Sequence, residues 1–300
     1  MKNIRSLRRR AFSLIAASVF FVAACGGSTD SSDTTSPGES LRIVSLSPTA
    51  TEMLYAIGAG DQVVAVDSLS TYPAEVEPKV TKISAFEPSA EAILEYEPDV
   101  VLISNDMNKI TEQLTTAAPG IQVWTGAAAT TIDDVYAQIT QLGELTGRAD
   151  AAEDVIDDMK TRIEAAVPAD GEPTAFSAYY ELDNTYYSIT SNTFVGALLS
   201  QFGLKSIADG VEEGNDYPQL SAESIVAADP AVIFLADTKC CQQTAETVAA
   251  RPGWADIAAV KNGNVVELDD DIASRWGPRI VDLIEQIAAA RNALLESASE

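Results

Sequence analysis

Apolar positions in the first part of the chain come in short unbroken runs separated by segments of helical period. Leu41 to Leu46 reads as a buried strand, and Pro48 opens a helix that runs to about Ile57, where Gly58 stops it. Val63 to Val66 is the next strand and Val80 to Ser84 a short third. Residues 89–96 have a helical pattern, and the aliphatic run from Asp99 to Ser104 is again a buried strand. A helix over 108–118 ends at Pro119-Gly120, and Ile121 to Trp124 is a further strand. This alternation predicts a parallel sheet with helices on both faces.

The pattern changes at residue 131. Ile132, Val135, Ile139, Leu142, Leu145, Val155, Met159 and Ile163 make one apolar stripe of helical spacing. Thr131 with Asp134 offers a relative of the capping box, Pro168 and Gly171 end the segment, and Gly143 and Gly147 are the places for a kink. Unbroken, such a helix reaches about 55 Å, long enough to brace two lobes. Beyond it come strands at 174–182 and 185–190, helices near 193–202 and 221–229, strands at 231–236 and 264–268, and a terminal helix from Pro278. The predicted fold class is α/β: two lobes with mostly parallel sheets, residues 41–129 and 169–300, joined by one long interlobe helix over 130–168.

The N-terminus adds an address. Lys2, Arg5, Arg8, Arg9 and Arg10 precede an apolar stretch from Ala11 to Ala24. Its 14 residues fall short of the about 20 that a spanning helix needs, so residues 1–24 read as a secretory signal peptide. The end, Val22-Ala23-Ala24-Cys25, resembles the bacterial lipobox, which implies that Cys25 is lipidated and tethers the protein to a cell membrane. Residues 25–40, rich in Gly, Ser, Thr and Asp, have too few apolar side chains to fold and read as a flexible tether.

Composition then excludes classes. Residues 1–24 hold five of the 19 basic residues and none of the 45 acids, so without them the formal charge falls from −26 to −31. Nucleic acid is excluded as a partner, because phosphate backbones need a basic footprint. The chain contains no histidine, which removes Ser-His-Asp and Cys-His catalysis and His-ligated metal sites. Three cysteines cannot supply a four-thiolate zinc site, and neither a P-loop nor a G-x-G-x-x-G motif is present. No cofactor and no catalytic residue are expected, and the chain is read as a monomer.

Residues 89–101 lie over residues 221–233 at a constant offset. Each copy runs Ser-Ala-Glu, a short helix, a Pro and a buried strand, so the lobes are structural relatives. Glu91 and Glu223 stand two residues after a serine, whereas a capping box places its Glu three after. Either each acid complements the dipole of its own helix, or each points outward, one per lobe.

With these features the chain resembles the substrate-binding proteins of ABC importers for vitamin B12, iron–siderophore chelates or haem, the class whose Rossmann-like lobes are joined by a helical backbone. The likeness covers about residues 41–297. It is carried by Arg42 to Glu52, Tyr72-Pro73, the two Ser-Ala-Glu units, Arg251 to Trp254 and Gly277 to Asp282. It implies an extracytoplasmic binding protein, not an enzyme, that holds a corrinoid or ferric chelate between its lobes. It would deliver this ligand to a membrane permease and, through it, to the ATPase subunits. It also implies that Glu91 and Glu223 dock onto the permease. A surface lipoprotein with a structural or adhesive role is the alternative.

A ligand in such a fold lies between the lobes near the carboxyl ends of the strands. The candidates by position are Ser47, Tyr72, Phe86 and Trp124 in the first lobe, and Tyr180, Tyr217, Arg275 and Trp276 in the second. The aromatic rings suit a large, partly apolar guest or else belong to the core. Arg275 could meet an anionic ligand or lie idle on the surface. Trp254 reads as core. Cys240 and Cys241 allow a vicinal disulfide in an oxidising compartment. Neighbouring Cα atoms, about 3.8 Å apart, lie below the usual disulfide range of about 4.4–6.8 Å, so such a bridge is strained, and free thiols are the alternative.

Overall fold

A computed structural model describes residues 40–168 and 175–299. The proposed signal peptide, Cys25 and all of the tether but Ser40 lie outside the described residues.

The first lobe contains β1 (Ile43–Leu46), α1 (Pro48–Ala56), β2 (Val63–Val66), α2 (Ala90–Leu94), β3 (Val100–Ile103), α3 (Ile110–Ala117) and β4 (Gln122–Thr125). The second contains β5 (Phe176–Glu181), α6 (Phe194–Gln201), β6 (Leu204–Ser206), α7 (Ala222–Ala228), β7 (Val232–Leu235), α8 (Ala245–Ala249), α9 (Ala258–Lys261), β8 (Val265–Glu267), α10 (Asp270–Ser274) and α11 (Ile280–Ala298). Each lobe has one four-stranded sheet, ordered β2-β1-β3-β4 and β6-β5-β7-β8, and every ladder is parallel. The same strand order recurs, and the two Ser-Ala-Glu helices, α2 and α7, precede equivalent strands. The sequence echo is thus a repeat of topology.

Alternate residues of each strand serve opposite layers. Ile43, Val100 and Leu102 from the first sheet, and Ala178, Tyr180 and Phe234 from the second, share one core with Ile280, Ile284 and Ile287 of α11. Val44, Val101 and Ile103 face a layer with Ile93, Ile110 and Leu114. Tyr179, Ile233 and Leu235 face another, around Trp254, which is core as expected. Burial on both faces explains why the strands read as unbroken aliphatic runs.

The linking segment is helical where expected but is not one rod. It forms α4 (Ile132–Thr146) and α5 (Ala149–Ala166). Thr131 and Asp134 close a full capping box on α4, and the Thr130 hydroxyl and the Thr130 and Thr131 N–H groups, all donating to the Asp134 carboxyl, lower it to about 2. The break falls at Gly147, whose φ of 69° is left-handed. Glycine takes that conformation without a Cβ clash, and the Arg148 N–H then donates to the Gly143 carbonyl at 2.7 Å, which closes the helix end. Gly143 does not kink α4. A Cβ there would stand 2.5 Å from that of Ala152, so this glycine lets the two helices touch. Val135, Ile139 and Leu142 of α4 and Ala152, Ile156 and Met159 of α5 all enter the shared core. The predicted apolar stripe is therefore kept across the break, and the lobes are fastened to a bent helical pair.

Two predicted strands do not form. Residues 80–84 make one bridge, Val80 to Val66, and residues 185–190 make one, Tyr187 to Gln219. Tyr186 has a φ of 71°, which turns the chain there and prevents a continuous ladder. The short β6 was not legible, since three residues carry too little alternation to register.

Candidate ligand cleft between the lobes

In each strand order the winding reverses between the two central strands, β1 and β3 or β5 and β7, and crevices form beyond the carboxyl ends of strands at such points. Pro48 and Thr49 after β1, Asp67 and Leu69 after β2, and Ser104 and Asn105 after β3 line a cavity of about 420 Å³. Leu182 after β5 and Ala236 after β7 line one of about 300 Å³. Ser274, Arg275 and Trp276 line both, so the two cavities are halves of one cleft between the lobes. Phe86 lies in the first half and Tyr217 in the second. These rings are 63 % and 55 % exposed, apolar surface of the kind a guest covers.

Most of the cleft's polar groups stand in its first half, where Thr49, Asp67, Ser104, Asn105, Asp271, Ser274 and Arg275 line the wall. Among the described residues Arg275 is the one cation lining either half, and its guanidinium donates to Glu52 Oε1 at 2.8 Å and Asp271 Oδ1 at 2.7 Å. A ligand anion would have to compete with both carboxylates. Asp67 is fully buried. Its Oδ1 accepts the Ser70 N–H at 2.9 Å, while its Oδ2 has no partner. Burial pushes the Asp67 carboxyl up from its ordinary 3.8, against the Ser70 hydroxyl, the Ser70 and Leu69 N–H groups and the Arg275 charge, which hold it down. The Trp276 indole N–H is likewise buried without a partner.

Of the candidates named by position, Phe86, Tyr217, Arg275 and Trp276 line one or both halves of this cleft. Four other candidates are elsewhere. Ser47 is 2 % exposed; its hydroxyl accepts the Ala50 N–H at the start of α1 and the Ser104 hydroxyl at 2.9 Å, so it is a cap. Tyr180 is buried in the shared core, with its hydroxyl donating to the Ala273 carbonyl. Trp124 packs against the core and donates to Gln141 of α4 at 3.0 Å. Tyr72 lies over the Arg279 guanidinium, 3.7 Å from ring centroid to Cζ, in a separate groove of about 790 Å³ between α1 and α5. Alternation along a strand decides which side chain enters core or cleft, and a loop can carry a ring past the strand end; neither shows in a residue's type. Asp67, Leu69 and Asp271 also line the first half of the cleft, and nothing in their residue types marks them for it. Asp67, the residue directly after β2, obeys the same strand-end rule.

Glu91 and Glu223 are both exposed in the first turns of α2 and α7. Ser89 and Ser221 cap the two helices through their own hydroxyls, which leaves neither Glu with capping work. Cys240 and Cys241 are separate thiols, so the vicinal bridge allowed by the sequence is not formed. Their loop is held instead by Asp270, which accepts the N–H groups of Lys239 at 2.9 Å and Cys240 at 2.8 Å.

The signature of the periplasmic binding protein family matches residues 43–272. The chain belongs to that family. This binding protein is 31% identical over 266 residues to an uncharacterized ABC transporter substrate-binding lipoprotein, YvrC, of Bacillus subtilis, with 85% of this chain and 81% of the relative covered. It is 33% identical over 272 residues to a cobalamin-binding protein of Halobacterium salinarum, with 87% and 72% covered. Its fold matches the apo periplasmic haem-binding protein RhuT of Roseiflexus with a TM-score of 0.72 and 25% identity, over 85% of this chain and all of the other. It is accordingly a substrate-binding protein of the ABC-importer type and not an enzyme, with the two-lobed architecture of the vitamin B12, haem and siderophore binders.

Proposed function

We propose that this protein is an extracytoplasmic lipoprotein, anchored through Cys25 and tethered by residues 25–40, that captures a corrinoid or ferric-siderophore ligand and delivers it to an ABC permease. The observation that carries this is the cleft at the paired strand-end crevices, with Phe86, Trp276 and Tyr217 spread across its two halves. Rings so spaced offer flat apolar surface to a large planar guest. The similarity to a cobalamin-binding protein supports a corrinoid as the first ligand to test, and the likeness to YvrC supports the lipid anchor. Equivalent exposure of Glu91 and Glu223 on repeated helices supports their role in docking the permease. Such rim charges set orientation and encounter rate more than affinity.

The test is a thermal-shift series on the purified lipoprotein with cyanocobalamin, ferric siderophores of hydroxamate and catecholate type, and hemin. A ligand at about 100 times its Kd stabilises the folded state by about 2.7 kcal/mol, a shift of several degrees for a protein of this size. No shift with any of them would leave the structural lipoprotein as the better account.

A further inference from the structure

The cleft offers a guest an unusual balance of polar groups. Asp67 is held by its backbone, which donates to the Ser45 carbonyl at 3.0 Å, and by the Ser70 N–H on Oδ1. Its carboxyl is therefore fixed in place before any ligand arrives. Oδ2 remains without a partner although the residue is fully buried and lines the first half of the cleft. Buried polar atoms are almost always paired, so an acceptor left open at the wall of a cavity is open to something that enters it. Among the described residues no positive charge lining the cleft is spare: Arg275 is the single cation in either half, and Glu52 and Asp271 already engage it.

We propose that Asp67 is a specificity-determining residue, whose free carboxylate oxygen accepts an N–H or O–H from a net-neutral, donor-rich guest and rejects guests with an anionic rim. This rests on the binding role proposed above and sharpens it. A corrinoid bearing peripheral carboxamides presents N–H donors and satisfies the oxygen. The two propionates of haem, or the phenolates of a ferric catecholate, would meet it with like charge and without a free guanidinium to compensate. The unpartnered Trp276 N–H gives the same cavity one donor, which suits the carbonyl half of a carboxamide.

Calorimetric titration of the detergent-purified lipoprotein with cyanocobalamin and with hemin tests this, in wild type, Asp67→Asn and Asp67→Ala. Asp67→Asn keeps an oxygen for the Ser70 N–H and removes the charge, so it serves if the smaller variant does not fold. Wild type is expected to prefer cyanocobalamin. Both variants are expected to lose about ten- to a hundredfold in cyanocobalamin affinity, the value of one hydrogen bond to a charged group, while hemin binding holds or improves. A folded variant that binds cyanocobalamin within twofold of wild type overturns the assignment, as does a wild type that prefers hemin. A wild type that binds neither cyanocobalamin nor hemin overturns the assignment, while the transport reading then stands or falls on the ferric siderophores of the thermal-shift series.

Discussion

The Glu52 carboxylate of α1 accepts two hydrogen bonds from Arg279, at 2.8 and 2.6 Å, from a residue 227 positions later in the chain. Arg275 adds a third at 2.8 Å. Glu52 is 4 % exposed, and these contacts join the first lobe to the segment just before α11. Two guanidiniums on one desolvated carboxylate make a fastener between the lobes, and the same Arg275 lines the cleft itself. Lobe spacing and cleft chemistry are therefore set by one cluster.

Removing one partner of a buried pair leaves the other charge unmet, at a cost of about 3–5 kcal/mol. Glu52→Ala is expected to lower stability by an amount of that order in chemical denaturation. A loss under about 1 kcal/mol would show that the cluster does not hold the lobes. Glu52→Leu combined with Arg275→Leu and Arg279→Leu is expected to cost less than the single change, because no charge is then left buried alone.

Asp237 is fully buried after β7, and neither carboxyl oxygen has a hydrogen-bond partner. Burial first, then the neighbouring Glu181, pushes its carboxyl up to about 7, opposed by Arg251 and assisted by Asp270. Arg251 is committed to both oxygens of Glu181. Between the ordinary 3.8 and about 7, the folded protein keeps a proton that the unfolded chain has released. Stability from this group is complete below the lower value and is lost as pH rises through the upper one. The melting temperature is expected to fall from pH 4 to pH 7 by this contribution, and Asp237→Asn is expected to flatten that slope. An equal slope in the variant would place the proton elsewhere.

Phe86 and Tyr217 project into the cleft with little burial of their own. Truncating either to Ala is expected to change stability by less than about 0.5 kcal/mol while lowering ligand affinity about tenfold, the loss from one well-stacked ring. Fluorescence titration and thermal melts together check this. A large drop in melting temperature with affinity intact would make the rings structural.

Exposed Glu91 and Glu223 separate delivery from capture. The Glu91→Lys, Glu223→Lys double variant is expected to bind ligand and melt as wild type does, yet to lose uptake in cells that depend on the importer. Each single variant is expected to retain part of it. Full uptake by the double variant would remove both residues from the docking surface.

The two lobes, their parallel sheets, the caps on α2, α4 and α7, and the repeated helix bearing Glu91 and Glu223 were all legible in the chain. Each is dictated by local physics: unbroken aliphatic runs need cover on both faces, Ser and Thr hydroxyls satisfy the first N–H groups of a helix, and a repeat of pattern repeats a topology. The break at Gly147 was visible as a possible kink, because glycine alone takes a left-handed φ freely. Whether the helix used it depended on packing. Gly143, equally eligible, instead admits Ala152.

What only the tertiary structure decided is which side chains face the guest. Tyr180 and Trp276 are both large aromatics near a strand end or an interlobe loop, yet strand alternation sends one into the shared core while a loop carries the other to the cleft. Arg275 read as a free charge until the fold brought Glu52 to it from 223 residues away. Asp67 became notable only once its surroundings left one oxygen without a partner. Local sequence specifies elements because their hydrogen bonds close within a few residues. Sites at a lobe boundary are made of long-range contacts, and those exist only after the elements have packed.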